Sequence, residues 1–305
     1  MSKPELSWQE KAKNMASGIR RRVLEHTIKN NGGYMSQACS SAEIFAALYS
    51  KILKLEPSKG PLEPKPYAGV PGSVNSKYST GAYMHGAKNP EYDRFILSPT
   101  HYSLVLYAAL IEAGRMSENS LDQFNRDGSS VEMIGAEHSP GMEVMTGSLG
   151  QGLGQAAGIA LARKMKKEEG RVIVMMSDGE FQIGMTWESL QFMSHHKLDN
   201  MVIIVDVNKQ QCDGAVNLVM KIDPLDKRLE AFGARVFKLY GHNINELASR
   251  AELRPDGRVL VILAETDPCQ GLSLLSANAP KLHYLRFKSA EEKAKYEEVL
   301  KGMVE

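Results

Sequence analysis

The sequence has few cysteines, few tryptophans, almost no net charge and no long apolar run. Its three cysteines, Cys39, Cys212 and Cys269, are widely spaced and odd in number. They follow no metal-ligand spacing and argue against a disulfide framework, so reduced thiols in a cytoplasmic protein are expected. A net charge of +1 over 305 residues leaves no electrostatic footprint for nucleic acid or an anionic membrane. No stretch reaches the length of apolar residues that a membrane span needs. The opening MSKPELSWQEKAKN lacks the apolar region of a signal peptide, so none is expected. No internal repeat or low-complexity tract stands out. What is there is 43% hydrophobic and 24% charged, the makeup of an ordinary globular protein with ample material for a core.

Residues 8–30 read as an entry helix with Arg20-Arg21-Arg22 in its middle, a triplet expected to be a solvated face. A break follows at Asn30 to Gly33. Residues 42–55 read as a helix with Ile44, Leu48 and Leu55 on one stripe. Residues 56–92 are rich in Pro, Gly, Ser and Tyr and show no period. A stretch of that length is more often functional or covered by a partner than idle. Further strands are expected at Arg94–Leu97, Val172–Met176, Val202–Val205, Ala234–Leu239 and Val259–Leu263. Helices are expected over 101–113, 149–167, 185–196, 245–251 and 289–304. Short buried strands alternating with helices argue for an α/β chain with a mainly parallel sheet.

Two strand ends carry the chemistry. Val172 to Met176 runs into Ser177-Asp178-Gly179-Glu180, and Val202 to Val205 runs into Asp206-Val207-Asn208. Asn208 lies 30 residues beyond Asp178, the length of a strand–helix–strand unit. If the strands are parallel, both carboxyl ends open on one edge of the sheet, where such sheets bind ligands. Alone, Asp-Gly or Asn-Lys after a strand is a common turn. Together, a carboxylate, an amide oxygen and a loop carbonyl form a sparse hard-oxygen set. That set suits Mg²⁺ completing its shell with a diphosphate and water. Gly179 lets phosphate oxygens approach backbone N–H groups.

The glycine cluster Gly147-Ser148-Leu149-Gly150-Gln151-Gly152-Leu153-Gly154 has three readings. Its second half matches a dinucleotide fingerprint but lacks a strand before it. Small residues also let a helix pack closely on a neighbour, or let backbone approach a flat ligand. Of the histidines, His101 sits at a strand-to-helix junction, His138 precedes the cluster and His283 lies in a late loop. A lone histidine is more often packed or solvated than functional. No nucleophile elbow of the G-x-S-x-G kind occurs.

Three segments, in order, resemble the transketolase family. Asp93-Arg94-Phe95-Ile96-Leu97-Ser98-Pro99-Thr100-His101 resembles its D-R-F-x-L-S-x-G-H. Glu143 to Leu153 resembles its G-V-E-V-T-T-G-x-L-G-Q-G. Asp178-Gly179-Glu180 through Leu198-Asp199-Asn200 to Asp206-Val207-Asn208 and Asp213-Gly214 looks like its thiamine diphosphate motif. The resemblance implies a three-layer thiamine diphosphate-binding fold, with residues 1–305 as one diphosphate-binding domain. That domain would include an N-terminal helical arm over 1–30 and the irregular segment 56–92. It implies Mg²⁺ held by the side chains of Asp178 and Asn208 and the carbonyl of Gln210. It implies diphosphate at Gly179, with His101 and His283 adding contacts, and Glu180 among the cofactor-binding residues. It implies cofactor rings against Gly147, Ser148 and Leu149, and His138 facing the donor hydroxyl. Catalytic roles would fall to His101, His138 and His283.

Family transketolases also carry a pyrimidine-binding domain with an activating glutamate, and a C-terminal domain. The resemblance therefore implies the N-terminal subunit of a split enzyme, inactive alone. A partner carrying the pyrimidine domain would complete it, as an α₂β₂ assembly acting on a sugar or sugar phosphate. The expected activity is transfer of a two-carbon ketol unit to an aldehyde. Two alternatives are a 2-oxoacid or acyl-transfer enzyme passing the unit to a carrier, and a non-catalytic subunit. The sequence departs from the family near the substrate. Tyr34 replaces a histidine, Ser177 a glycine and Ile183 a glutamate, and Thr266 to Gly271 lacks the family's lysine.

Overall fold

The computed structural model describes residues 6–303. The chain opens with α1 (Trp8–Lys29), whose N-terminus is closed by a reciprocal pair: Glu10 N–H donates to Ser7 Oγ and Ser7 N–H to Glu10 Oε2. Next come β1 (Gly32–Gly33) and α2 (Met35–Ala47), which continues into a wider turn over Leu48–Ile52. The segment after it is irregular apart from one tight turn, Gly81–His85. Then follow β2 (Arg94–Leu97), α3 (Ser103–Glu112), α4 (Gln151–Lys166), β3 (Val172–Ser177), α5 (Gly184–His195) and β4 (Met201–Val207). A small hairpin of β5 (Gln210–Gln211) and β6 (Gly214–Ala215) leads to α6 (Val216–Val219) and α7 (Leu225–Ala231). The rest is β7 (Arg235–Tyr240), α8 (Ile244–Ala251), β8 (Leu260–Glu265), β9 (Leu285–Arg286) and α9 (Ala290–Gly302). The expected last helix extends to Val304, which lies outside the described residues.

Five strands form one sheet in the order β2-β3-β4-β8-β7, every pair parallel. The inner strands are apolar on both faces, as a sheet covered on both sides requires. Ile173, Met175, Val202, Ile204 and Ile262 face one core, shared with α1, α2, α3 and α8. Val174, Met176, Ile203, Val205 and Val261 face the other, shared with α4, α5 and α7. The architecture is thus three layers, helices–sheet–helices, as expected.

Three expectations need correction. The Arg20–Arg22 triplet is not a solvated face. Arg20 is buried against Glu43 at 2.5 Å, and Arg22 Nε donates to Glu112 at 2.5 Å. α2 starts seven residues before the expected helix, because the Ser- and Gln-containing turns after Tyr34 are buried rather than looped. β7 is an edge strand and only partly buried; Arg235 and Arg250 cover its Phe237 instead of apolar packing. Among the described residues, no helix is long and apolar enough to cross a membrane.

Candidate functional site

Because all five strands run the same way, their carboxyl ends share one edge. Asp178 follows β3 directly, Asn208 follows β4, Thr266 follows β8, and His101 lies just beyond β2. β3 and β4 pair in register up to Ser177 opposite Asp206, so the turn at Asp178 and the loop at Asn208 start level with each other.

Asp178 is almost fully buried. One carboxylate oxygen accepts the N–H of Lys209 at 2.8 Å; the other is buried without a partner. Burial first, and then the neighbouring Asp206, raise its carboxyl to about 7. Asn208 is oriented by its surroundings. Its Nδ2 donates to the Tyr102 hydroxyl at 3.0 Å and to Asp206 at 3.2 Å, and its Oδ1 accepts from Gln210 N–H at 2.8 Å. The amide oxygen is thereby turned away from Asp206, toward the β5 loop. The orphaned oxygen of Asp178, the turned-out oxygen of Asn208 and the adjoining loop form an incomplete set of hard donors, and this fits a divalent cation. Gly179 has open space where a Cβ would stand.

Asp206 anchors this arrangement. Its buried carboxylate accepts from Ser40 Oγ at 2.5 Å, Tyr102 Oη at 2.8 Å and the Thr266 hydroxyl. Ser40 belongs to α2 and Thr266 to the loop after β8, so one carboxylate ties three elements to the end of β4. Sequence reasoning missed Ser40, Tyr102 and Thr266. The available signal was the polar run Ser36-Gln37 and Ser40-Ser41 within an otherwise apolar helix.

Glu180 stands behind the edge and is fully buried. Its carboxylate accepts from Ser98 Oγ at 2.5 Å, Gly150 N–H at 3.1 Å and Ser177 N–H at 3.0 Å. It therefore clamps the ends of β2 and β3 to the start of α4. Ser177, where the family has glycine, adds its hydroxyl to that clamp. Gly147, Ser148 and Leu149 form an exposed loop between buried Thr146 and Gly150. Gly150 needs its glycine: its φ is +81°. Gly152 lets α4 pass the end of β2, since a Cβ there would lie 3.0 Å from Ser98 Cα. The close-packing reading of the glycine cluster thus holds for Gly152, while Gly147 to Leu149 stay open to solvent.

His101 and His283 come together, with ring centroids 4.9 Å apart. Tyr34 stands edge-on to His283 at 5.5 Å and tilted to His101 at 6.1 Å. β1 and β9 make this meeting possible by pairing Gly33 with Leu285. Burial, then His283, push His101 down to about 3, so it is neutral near pH 7. His138 faces different partners: Glu132 at 2.6 Å and the ring of Tyr67 at 4.7 Å. Ile183 packs near Gly150. A cleft of about 480 Å³ reaches Asp178 and Lys209 from the side of α6 and α7. Its walls include neither imidazole nor the Gly147–Leu149 loop.

A family profile described as "Transketolase, thiamine diphosphate binding domain" matches residues 80–254. The chain is 31% identical over 297 residues to one of the subunits of apulose-4-phosphate transketolase from Actinobacillus succinogenes, covering 96% of this chain and 97% of that one. It is 31% identical over 263 residues to 6-deoxy-6-sulfo-D-fructose transketolase subunit SqwG of a Clostridium species, covering 85% and 86%. The fold is similar to the crystal structure of transketolase from Campylobacter jejuni, with a TM-score of 0.67 at 20% identity. That match covers 97% of this chain but 46% of the transketolase chain, so this chain spans about half its length. The chain belongs to the transketolase family and carries its thiamine diphosphate-binding domain.

Proposed function

We propose that this chain is the diphosphate-binding subunit of a split transketolase, moving a two-carbon ketol unit from a ketose or ketose phosphate to an aldehyde. The observation that carries the reading is the unpartnered, buried oxygen of Asp178, on the same sheet edge as the Asn208 amide oxygen. In this reading residues 1–305 form one domain, and the protein works in the cytoplasm.

The side chains of Asp178 and Asn208, with the carbonyl of Gln210, would hold Mg²⁺. Gly179 leaves room for the diphosphate. The bound cofactor supplies the nucleophilic carbon and the electron sink that breaking a ketose carbon–carbon bond requires. This chain's residues bind and orient. Neutral His101 and His283 offer hydrogen bonds to diphosphate or sugar oxygens without adding charge. The Gly147–Leu149 loop presents an open backbone to the flat rings. His138, held by Glu132, would meet the donor hydroxyl. Glu180 acts through Gly150 and Ser177 rather than by touching the cofactor.

The exposed Gly147–Leu149 loop, beside a half-buried imidazole pair, fits a site closed by a second polypeptide. That partner would bring the pyrimidine-binding domain and its glutamate, in an α₂β₂ assembly. Two relatives are named as subunits of transketolases, which supports a split enzyme. Their named substrates carry a phosphate or a sulfonate, which favours a ketose with an anionic end here. The test is reconstitution. The chain with a pyrimidine-domain partner, thiamine diphosphate and Mg²⁺ should convert ketose phosphate and aldehyde to new sugars, and the chain alone should not. Turnover by the chain alone, or acyl-carrier products from the pair, would overturn the reading.

A further inference from the structure

We infer that Gln37 is a positioning residue that fixes the proton of His283 on Nε2 and presents that N–H to the reaction site. The inference rests on the proposed function only in placing His283 at that site.

Gln37 is 1% exposed, and its Nε2 lies 3.2 Å from the backbone oxygen of His283 and 3.2 Å from that residue's Nδ1. A backbone carbonyl can only accept. The Gln37 atom facing it must therefore be the amide nitrogen; the flipped orientation would set two oxygens against each other in a buried place. In that orientation Ser36 Oγ donates to Gln37 Oε1 at 3.0 Å.

An amide NH₂ has two hydrogens and no acceptor capacity. One hydrogen goes to the carbonyl and the second points at Nδ1. Nδ1 must then offer its lone pair, so the neutral ring carries its proton on Nε2. Among the described residues the ring of His283 is hydrogen-bonded at Nδ1 and not at Nε2. Nε2 is a donor left free beside His101 and Tyr34.

α2 makes this possible. Tyr34 caps its start and Gln37 lies three residues on, so both reach the same histidine, one by ring edge and one by amide. The Gln37 backbone is itself held from behind, because the Ser41 hydroxyl donates to its main-chain carbonyl at 2.5 Å. A proton on Nδ1 would meet the amide hydrogens head on, and burial also lowers the pKa of His283. Both effects keep the ring neutral and in one tautomer.

The test is ¹⁵N NMR of the full chain with labelled histidine, assigned by loss of the signal in His283→Gln. His283 should show a protonated Nε2 and a bare Nδ1. In Gln37→Met, close in shape but with no donor, the preference should collapse to a mixture of tautomers. A wild-type ring protonated at Nδ1, or an unchanged tautomer in the variant, overturns the inference; the wild-type spectrum decides even if the variant fails to fold. In the reconstituted pair, Gln37→Met should lower kcat/KM about tenfold, the loss of about one hydrogen bond. A shifted tautomer with unchanged turnover would overturn instead the placement of His283 at the reaction site.

Discussion

The backbone N–H of Lys209 donates to one oxygen of Asp178 at 2.8 Å, joining the loop after β4 to the turn after β3. The other oxygen of Asp178 is buried with nothing to accept from. A carboxylate satisfied on one side only is costly to keep charged in the interior. Two neighbouring strand ends are thus fastened to each other while one carboxyl oxygen is left over.

The first concerns pH. The folded-state value of Asp178, about 7, lies above the ordinary 3.8. A raised carboxyl favours the folded state fully below the unfolded value, and that contribution is lost as pH rises through the folded value. The metal-free protein should therefore lose thermal stability from this group between about pH 4 and 7. Buried Asp206, also raised by burial, acts with the same sign. Melting curves of wild type and Asp178→Asn isolate the first group: the variant should fall less across that range.

The second concerns the cation. Thiamine diphosphate with Mg²⁺ should raise the melting temperature more at pH 8 than at pH 5, because a deprotonated Asp178 binds it. At a hundredfold excess over Kd the gain is about 2.7 kcal/mol. Asp178→Asn should remove most of it while the metal-free variant stays folded. An equal gain in wild type and variant would put the metal elsewhere.

The third concerns the clamp. Glu180→Ala strands the N–H groups of Gly150 and Ser177 and the Ser98 hydroxyl in a fully buried place. A loss of about 3 kcal/mol in urea unfolding is expected, as for a buried charged acceptor with several donors. Hydrogen exchange should rise in the 147–150 loop, which the carboxylate holds from behind. Unchanged exchange there would mean that the loop is held by other contacts.

The fourth separates two glycines of one helix. Gly152→Ala would set a Cβ 2.7 Å from Ser98 Oγ and 3.0 Å from Ser98 Cα, so overpacking of about 1–3 kcal/mol is expected. Gly158 lies in the same helix with open space at its Cβ position. Gly158→Ala should stabilise by about 0.5–1 kcal/mol through helix propensity. Chemical denaturation of both variants checks the pair.

By itself the sequence determined the strand ends and their spacing. Val172 to Met176 and Val202 to Val205 are short continuous apolar runs, the pattern of doubly covered strands, and the residues after them carry the polar chemistry. It determined the parallel α/β layout and, through the order of its motifs, the family. Only the tertiary structure decided which polar groups meet. Ser40 and Asp206 are 166 residues apart, Gln37 and His283 are 246 apart, and local pattern carries no information about pairs so distant. Arg20-Arg21-Arg22 misled for the same reason: Glu43 and Glu112, which take two of these charges inside, belong to other helices. Periodicity reports which face of an element is buried. It does not report which neighbour stands on that face, and at this sheet edge the neighbour decides whether a buried polar group is satisfied or left free to bind.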